Sequence, residues 1–174
     1  MNLPPIVART AQNAPFLATL IARETEFFQT CSPLPADPLL HVRASVHEAS
    51  VPKRLRIERR RLALLLALGD LAGVYAFETV TTALTGFADA ALDLAIRTAI
   101  QERTGADGAH GMVGIALGKQ GSGELNYSSD IDPILLYDPD TLPRRAREEA
   151  AEAAVRIARR AVEILQARDG DGYV

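Results

Sequence analysis

The chain has 174 residues, which is the length of about one domain or of a domain with a helical extension. Apolar residues make up 48% of it but aromatic residues only 5%, so alanine and leucine supply most of the core and favour helices. The net charge of −3 argues against a nucleic-acid-binding protein, which normally carries a basic surplus.

The number of cysteines and the length of the apolar runs indicate the cellular compartment. Cys31 is the sole cysteine and cannot form an internal disulfide, which is typical of a reducing cytosol. The first residues lack the basic and apolar regions of a signal peptide, and the longest unbroken apolar run, 62–68, is too short to span a bilayer. We therefore expect a cytoplasmic protein with no membrane partner.

The first part of the chain is predicted to be helical. Apolar spacing, capping residues and first-turn prolines indicate helices over 13–30, 37–48, 53–71 and 77–103. For the last of these helices, a break at Gly86 is the alternative. Six basic side chains spread around the third helix and predict a solvated surface. They are Lys53, Arg54, Arg56, Arg59, Arg60 and Arg61.

After Gly105, a natural helix stop, the pattern changes to short strands. The apolar run 112–117 predicts a buried strand, a glycine-rich turn follows, and a second strand is predicted over 130–137. An amphipathic helix is predicted over 143–168, and Tyr173-Val174 reads as the start of another strand. Two residues are not a stable final strand, so we expect the sequence to be a fragment of a longer protein.

Asp130 and Asp132 open the second predicted strand and carry the strongest functional signal. Residues two apart on a strand project to the same side, so both carboxylates would converge on one spot. Two anions held that close repel each other unless they share a cation. The glycine turn before them adds backbone N–H groups and Lys119, which suit phosphate. The alternative interpretation is a solvated turn before an edge strand.

Other glycine and aspartate motifs do not fit this segment. A P-loop would need glycine at Val113 and serine or threonine at Gln120, and a dinucleotide fingerprint would need glycine at Asn126. An EF-hand loop would need a polar ligand and a glycine at Ile134 and Leu135.

Segment 117–132 reads Leu-Gly-Lys-Gln-Gly-Ser-Gly-Glu-Leu-Asn-Tyr-Ser-Ser-Asp-Ile-Asp. It resembles the signature of the bifunctional glutamine-synthetase adenylyltransferase/adenylyl-removing enzymes, within the DNA polymerase β-type nucleotidyltransferase superfamily. Segments 68–74, 82–90 and 171–174 are similar to the same family, so the resemblance covers most of the chain.

The resemblance implies an α+β fold in two parts. A helical N-terminal domain, 1–105, would precede a partial polymerase β-like nucleotidyltransferase domain with a small mixed sheet, 106–174. Pro133 departs from the family's bulky aliphatic residue and would remove a ladder donor from the strand. Gln120 likewise replaces an aliphatic residue.

The resemblance also implies an activity. The chain is more similar to the family's N-terminal half, because of its methionine start, its long helical N-terminal region and the sequence of 126–132. The resemblance implies that in this half phosphate attacks the adenylyl-tyrosine of glutamine synthetase and releases ADP. Implied partners are glutamine synthetase, ADP or ATP, phosphate and a PII-type signalling protein, but no nucleic acid. The open alternatives are the adenylylating activity with ATP, another nucleotidyltransferase, and a non-catalytic module that binds nucleotide or a partner.

The residue roles follow from the same resemblance. Asp130 and Asp132 would be catalytic and would hold Mg²⁺. Nucleotide or phosphate contacts are expected from Gly118, Lys119, Gly121, Ser128 and Ser129. The family's third carboxylate lies on the strand that Tyr173-Val174 begins and is not in this sequence. We therefore expect the fragment alone to be inactive.

Overall fold

The structure, a computed structural model, describes residues 3–167. Eight helices and two strands are found in this range. In chain order they are α1 (Leu3–Asn13), α2 (Pro15–Arg23), α3 (Thr25–Gln29), α4 (Pro38–Ala44), α5 (Val51–Leu71), α6 (Phe77–Thr104), β1 (Met112–Ile115), α7 (Gly118–Gly121), β2 (Ile134–Tyr137) and α8 (Ala150–Gln166). The predicted α+β class, helices followed by strand, turn, strand and helix, is confirmed.

The two strands form a small antiparallel sheet. Met112 pairs with Tyr137 at one end and Ile115 pairs with Ile134 at the other. One face packs on α6, where a methyl group added at Gly114 would lie 2.8 Å from Leu92. A mixed sheet requires a further strand, and the predicted one at Tyr173-Val174 lies outside the described residues.

The prediction that β2 begins at Asp130 is wrong. The ladder ends at the pair of Ile115 and Ile134, and the residue before Ile134 is Pro133, which has no N–H to donate. Asp130 and Asp132 therefore lie in the irregular segment directly before the strand. Their convergence on one side cannot be taken from strand geometry.

Three predicted helices also differ in their boundaries. The helix expected over 37–48 ends at Ala44. The helix expected over 13–30 is divided into α2 and α3, and Asn13 ends α1, donating its side-chain N–H to the carbonyl of Arg9 rather than capping α2. The helix expected from Pro143 begins only at Ala150. Arg147 has a φ of 64°, a left-handed conformation that a helix cannot contain, so the helix starts after it.

Helix α6 is the centre of the core. It packs against α5, α8 and β1, and one cluster of buried side chains extends from Phe27 in α3 to Ile164 in α8. By length and composition α6 could cross a bilayer, but 56% of its most apolar window is buried inside the protein. That burial is the packing of a core helix.

The prediction of a solvated surface on α5 is wrong for Arg56, Arg60 and Arg61, whereas Lys53 is exposed as predicted. Glu24 is 4% exposed and accepts hydrogen bonds from Arg60 Nε at 2.5 Å and Arg61 Nε at 2.7 Å. The Arg61 guanidinium also lies 4.8 Å from the Phe27 ring centroid, and Arg56 is 5% exposed. Arg60 and Arg61 join α5 to the junction of α2 and α3, because a buried carboxylate requires paired donors. Arg56 instead donates to the carbonyl of Ala167, after α8.

Candidate functional site

The two aspartates of the predicted site are exposed and unpaired. Asp130 and Asp132 are separated by the half-buried Ile131, and neither carboxylate has a hydrogen bond or an ion pair with any residue in 3–167. Anionic groups left without internal partners in this way remain available to a cation from solution. Pro133 follows Asp132 directly and has no N–H to donate, and the β2 ladder begins only at the next residue.

The glycine turn, residues 118–123, contains the short helix α7 and has unusual backbone φ angles at both ends. Gly118 has a φ of 55° and Gly123 a φ of 75°, which favour glycine. A methyl group at Gly121 would lie 2.6 Å from the carbonyl oxygen of Ala116, so the turn can close only without a side chain there. The amide of Gly121 donates to Leu117 O at 3.2 Å and is not free for a ligand.

Lys119 and Ser128 are the polar side chains of this region that remain free. Lys119 is exposed and makes no ion pair within the described part of the chain. Ser128 is exposed, and its hydroxyl has no hydrogen bond there either. Ser129 differs, because its hydroxyl donates to Asn126 Oδ1 at 2.8 Å. Of the two serines, Ser128 therefore has the hydroxyl available for phosphate.

Asn126 shapes the turn that leads to Asp130. Its side-chain oxygen also accepts from the backbone N–H of Ser128 at 3.1 Å, and its own backbone N–H donates to Ser129 Oγ at 3.1 Å. These contacts close an Asx-type turn immediately before the aspartates. Asn126 therefore orients the turn that leads to Asp130.

A cavity of about 770 Å³ lies beside Asp130, between α5, α6, α8 and the segment that precedes β2. Leu84, Phe87 and Leu165 form apolar parts of its wall, and Arg59 and Gln166 add polar groups. Ser128, Ser129 and Asp130 line its edge. Its volume lies within the range of small-molecule sites in proteins. Asp132, Gly118, Lys119 and Gly121 do not line it.

Three polar contacts that were not predicted from the sequence join the turn region to the helices. Gln120 Nε2 donates to Asp89 Oδ1 at 2.8 Å. The backbone N–H of Leu125 donates to Thr85 Oγ1 at 3.3 Å, and Tyr127 Oη donates to Asp70 Oδ2 at 3.5 Å. Burial, with the Asp70 charge as a second cause, raises the pKa of the Tyr127 phenol. The one available signal was that 68–74 and 82–90 resemble the same family as the turn.

The exposed oxygen atoms of this region fit a magnesium site in which the protein supplies few of the ligands. Among the described residues no group of three or more acidic, histidine or cysteine side chains could hold a metal. Mg²⁺, however, is commonly bound by one or two carboxylates, with water and substrate phosphates completing its octahedron. Two exposed carboxylates, two residues apart and without internal partners among the described residues, are compatible with that arrangement.

A second Asp-x-Asp sequence, at the other end of β2, behaves differently. Asp138 accepts hydrogen bonds from Thr141 Oγ1 at 2.7 Å and from the Asp140 N–H at 3.0 Å, and these contacts lower the pKa of the Asp138 carboxyl. Asp138 and Asp140 thus belong to the turn that follows β2. The same Asp-x-Asp pattern is used for turn formation at one end of the strand and left unpaired at the other.

The chain is similar to known proteins along its whole length. The profile of the family described as glutamate-ammonia ligase adenylyltransferase matches residues 1–174. Three relatives share the name "Bifunctional glutamine synthetase adenylyltransferase/adenylyl-removing enzyme". They are those of Xanthobacter autotrophicus (38% identical, 94% of this chain, 18% of the relative), Caulobacter vibrioides (44%, 69% and 13%) and Rhizobium meliloti (37%, 75% and 14%).

The chain spans less than a fifth of the length of these curated relatives. Within that span the match to the family is continuous and includes the glycine turn and both aspartates. The chain therefore belongs to the glutamate-ammonia ligase adenylyltransferase family.

Proposed function

We propose that this chain contributes the nucleotide-transfer site of an enzyme that regulates glutamine synthetase. The observation that carries the proposal is the pair of exposed, unpaired carboxylates, Asp130 and Asp132, in a chain that belongs to this family. The names of its relatives give glutamine synthetase as the protein acted on. The free thiol of Cys31 fits action in the cytoplasm.

The reaction proposed is adenylyl removal. Phosphate attacks the phosphorus of the adenylyl-tyrosine on glutamine synthetase, the bond from phosphorus to the tyrosine oxygen breaks, and ADP and the free tyrosine are released. Support comes from the resemblance of segment 126–132 to the family's N-terminal half. A PII-type signalling protein is the proposed regulatory partner.

Asp130 and Asp132 would hold Mg²⁺, which when bound neutralises phosphate oxygens and stabilises the leaving oxygen. Lys119 supplies a free positive charge and Ser128 a free hydroxyl, and both groups suit phosphate oxygens. Gly118 has open space where a side chain would stand, so a ligand can approach the backbone there, whereas the missing side chain of Gly121 lets the turn close against Ala116. The cavity beside Asp130 has room for a nucleoside.

The test uses the longest natural polypeptide that contains this sequence. Adenylylated glutamine synthetase and phosphate are mixed with it, and ADP release is measured by chromatography, with ATP-dependent pyrophosphate release measured separately. The proposal predicts ADP release. Asp130→Asn and Asp132→Asn should each lower its rate about 10²–10³-fold, the usual effect of losing one group that stabilises transition-state charge.

The matched control is Asp140→Asn, which makes the same charge change on an exposed residue at the far end of β2. It should keep wild-type turnover, and all three variants should keep their helical circular dichroism. Pyrophosphate release without ADP release would assign the adenylylating reaction instead. Full turnover in the Asp130 and Asp132 variants would remove both residues from the site.

A further inference from the structure

Two polar residues on α6 contact both ends of the glycine turn. Thr85 and Asp89 are four residues apart on the helix and so lie on the same face, one turn from each other. Asp89 accepts from Gln120, within the turn, and Thr85 accepts from the backbone N–H of Leu125, just after it. The segment between these contacts contains Gly121 and Gly123.

The Gln120 contact is not explained by packing alone. Gln120 is only 4% exposed, and its side-chain oxygen is buried without a hydrogen-bond partner. A buried polar atom left unsatisfied destabilises a fold, whereas an apolar side chain of similar size would fill the same space without that cost. What the glutamine adds over an apolar side chain is its bond to Asp89, a charged acceptor that gives a stronger bond than a neutral one.

The Thr85 contact fixes the other end of the turn. Thr85 is 8% exposed and Leu125 is 4% exposed, so the hydrogen bond that joins them is shielded from water. The next residues, Asn126 to Ser129, form the Asx-type turn that leads directly to Asp130. A displacement at Leu125 is therefore passed to the aspartates through a short, hydrogen-bonded segment.

We propose that Thr85 and Asp89 are positioning residues that set the place of the glycine turn, and with it the distance between Lys119 and the aspartates. The part of this inference that concerns ligand binding rests on the proposed function. The part that concerns the turn itself rests only on the contacts of α6.

The first test is hydrogen–deuterium exchange on the 174-residue chain, which needs neither ligand nor activity. Asp89→Ala should raise the exchange rate of amides in 118–125 about tenfold, the loss expected for one charge-assisted hydrogen bond. Asp89→Asn keeps an acceptor oxygen and should restore most of the protection. Thr85→Val should raise exchange at Leu125, and Thr85→Ser should not.

The control is Asp93→Ala, one turn further along α6, where the carboxylate pairs with Arg97 at 2.7 Å and faces solvent. It should leave exchange in 118–125 unchanged. Unaltered exchange in Asp89→Ala would overturn the proposal, and so would an equal rise along the whole of α6, since that would indicate general destabilisation.

The second test separates positioning from folding. Gln120→Met removes the bond to Asp89 and also the unsatisfied buried oxygen, so the thermal midpoint should not fall. In the longest natural polypeptide it should raise the KM for phosphate about fivefold and change kcat less than twofold. An unchanged KM would overturn the positioning role.

The two proposals fail in distinguishable ways. If Asp130→Asn keeps full turnover while Asp89→Ala still loosens the turn, the proposed function is wrong and the positioning contacts stand. If Asp130→Asn abolishes turnover while Asp89→Ala alters neither exchange nor KM, the positioning inference is wrong and the proposed function stands.

Discussion

Glu24 and Asp130 are both carboxylates, yet the fold surrounds them in opposite ways. Glu24 is buried between the guanidinium groups of Arg60 and Arg61, within hydrogen-bond distance of both. Asp130 is exposed, stands two residues from Asp132, and has no charged partner in the described residues. The helical region uses its charges to hold helices together, whereas the turn region leaves its charges free.

The difference separates stability from binding. A buried ion pair cannot be broken without a large loss of stability, because the remaining charge is left without compensation. An exposed carboxylate contributes little to folding and keeps its capacity for a cation from solution. Substitutions in the first group should therefore affect unfolding, and substitutions in the second should affect ligands.

The largest stability effect is expected for Glu24→Gln. The substitution removes the carboxylate shared by Arg60 and Arg61 and should lower the free energy of unfolding by about 3–5 kcal/mol. Urea unfolding followed by circular dichroism measures it. Glu26→Gln, on an exposed residue of α3, is the control and should change stability by less than about 0.5 kcal/mol. Equal effects of the two substitutions would contradict the structural role of Glu24.

A smaller effect is expected at high pH from Tyr75. Burial, with the nearby Cys31 as a second cause, raises the pKa of Tyr75 from 10.0 to about 12. The neutral phenol is favoured in the folded state, so its contribution is complete below pH 10 and is lost as the pH rises towards 12. The loss should reach about 2–3 kcal/mol, at about 1.36 kcal/mol for each pKa unit.

Tyr75→Phe should remove this pH dependence. It should also lower stability near neutral pH by about 1 kcal/mol, because the phenol donates a hydrogen bond to Pro35 O at 2.7 Å. Urea unfolding of both proteins between pH 9 and about 11.5 gives the difference, with the exposed Tyr137→Phe as the control. If the free energy of unfolding falls equally with pH in wild type and Tyr75→Phe, this phenol does not contribute to the pH dependence of stability.

The smallest effect is expected for the ion pair between α6 and α8. Arg160 donates to Glu102 through Nε at 2.7 Å and Nη2 at 3.1 Å, but both side chains are more than 40% exposed. Arg160→Gln should cost less than about 1 kcal/mol, and the cost should shrink further in 1 M salt, where exposed charges are screened. A loss of 3 kcal/mol or more in the free energy of unfolding would show that this surface pair contributes as much as the buried pairing of Glu24.

Local signals predicted much of the helical region. Asp37 caps α4 by accepting from the Leu40 N–H at 2.9 Å, and Pro38 occupies the first turn, as its sequence indicates. Gly105 ends α6 in a left-handed conformation, again as predicted. Each of these features depends on residues within one helical turn, so the sequence alone specifies them.

Other features depend on residues far apart in the sequence and could not be predicted. The burial of Arg60 depends on Glu24, 36 residues earlier, and the contact of Gln120 depends on Asp89, 31 residues earlier. The start of β2 depends on where β1 ends, since a strand needs a partner as well as a pattern. The residue types of the site were visible in the sequence, but not the contacts that place them.

The position at which a divalent cation binds can be measured directly. Backbone NMR signals of the chain are recorded as Mn²⁺, a paramagnetic substitute for Mg²⁺, is added in small amounts. We predict that broadening begins at 130–132 and spreads to the glycine turn, and that Asp130→Asn together with Asp132→Asn removes it. Broadening centred on Asp138 and Asp140, or unchanged by the double substitution, would contradict it.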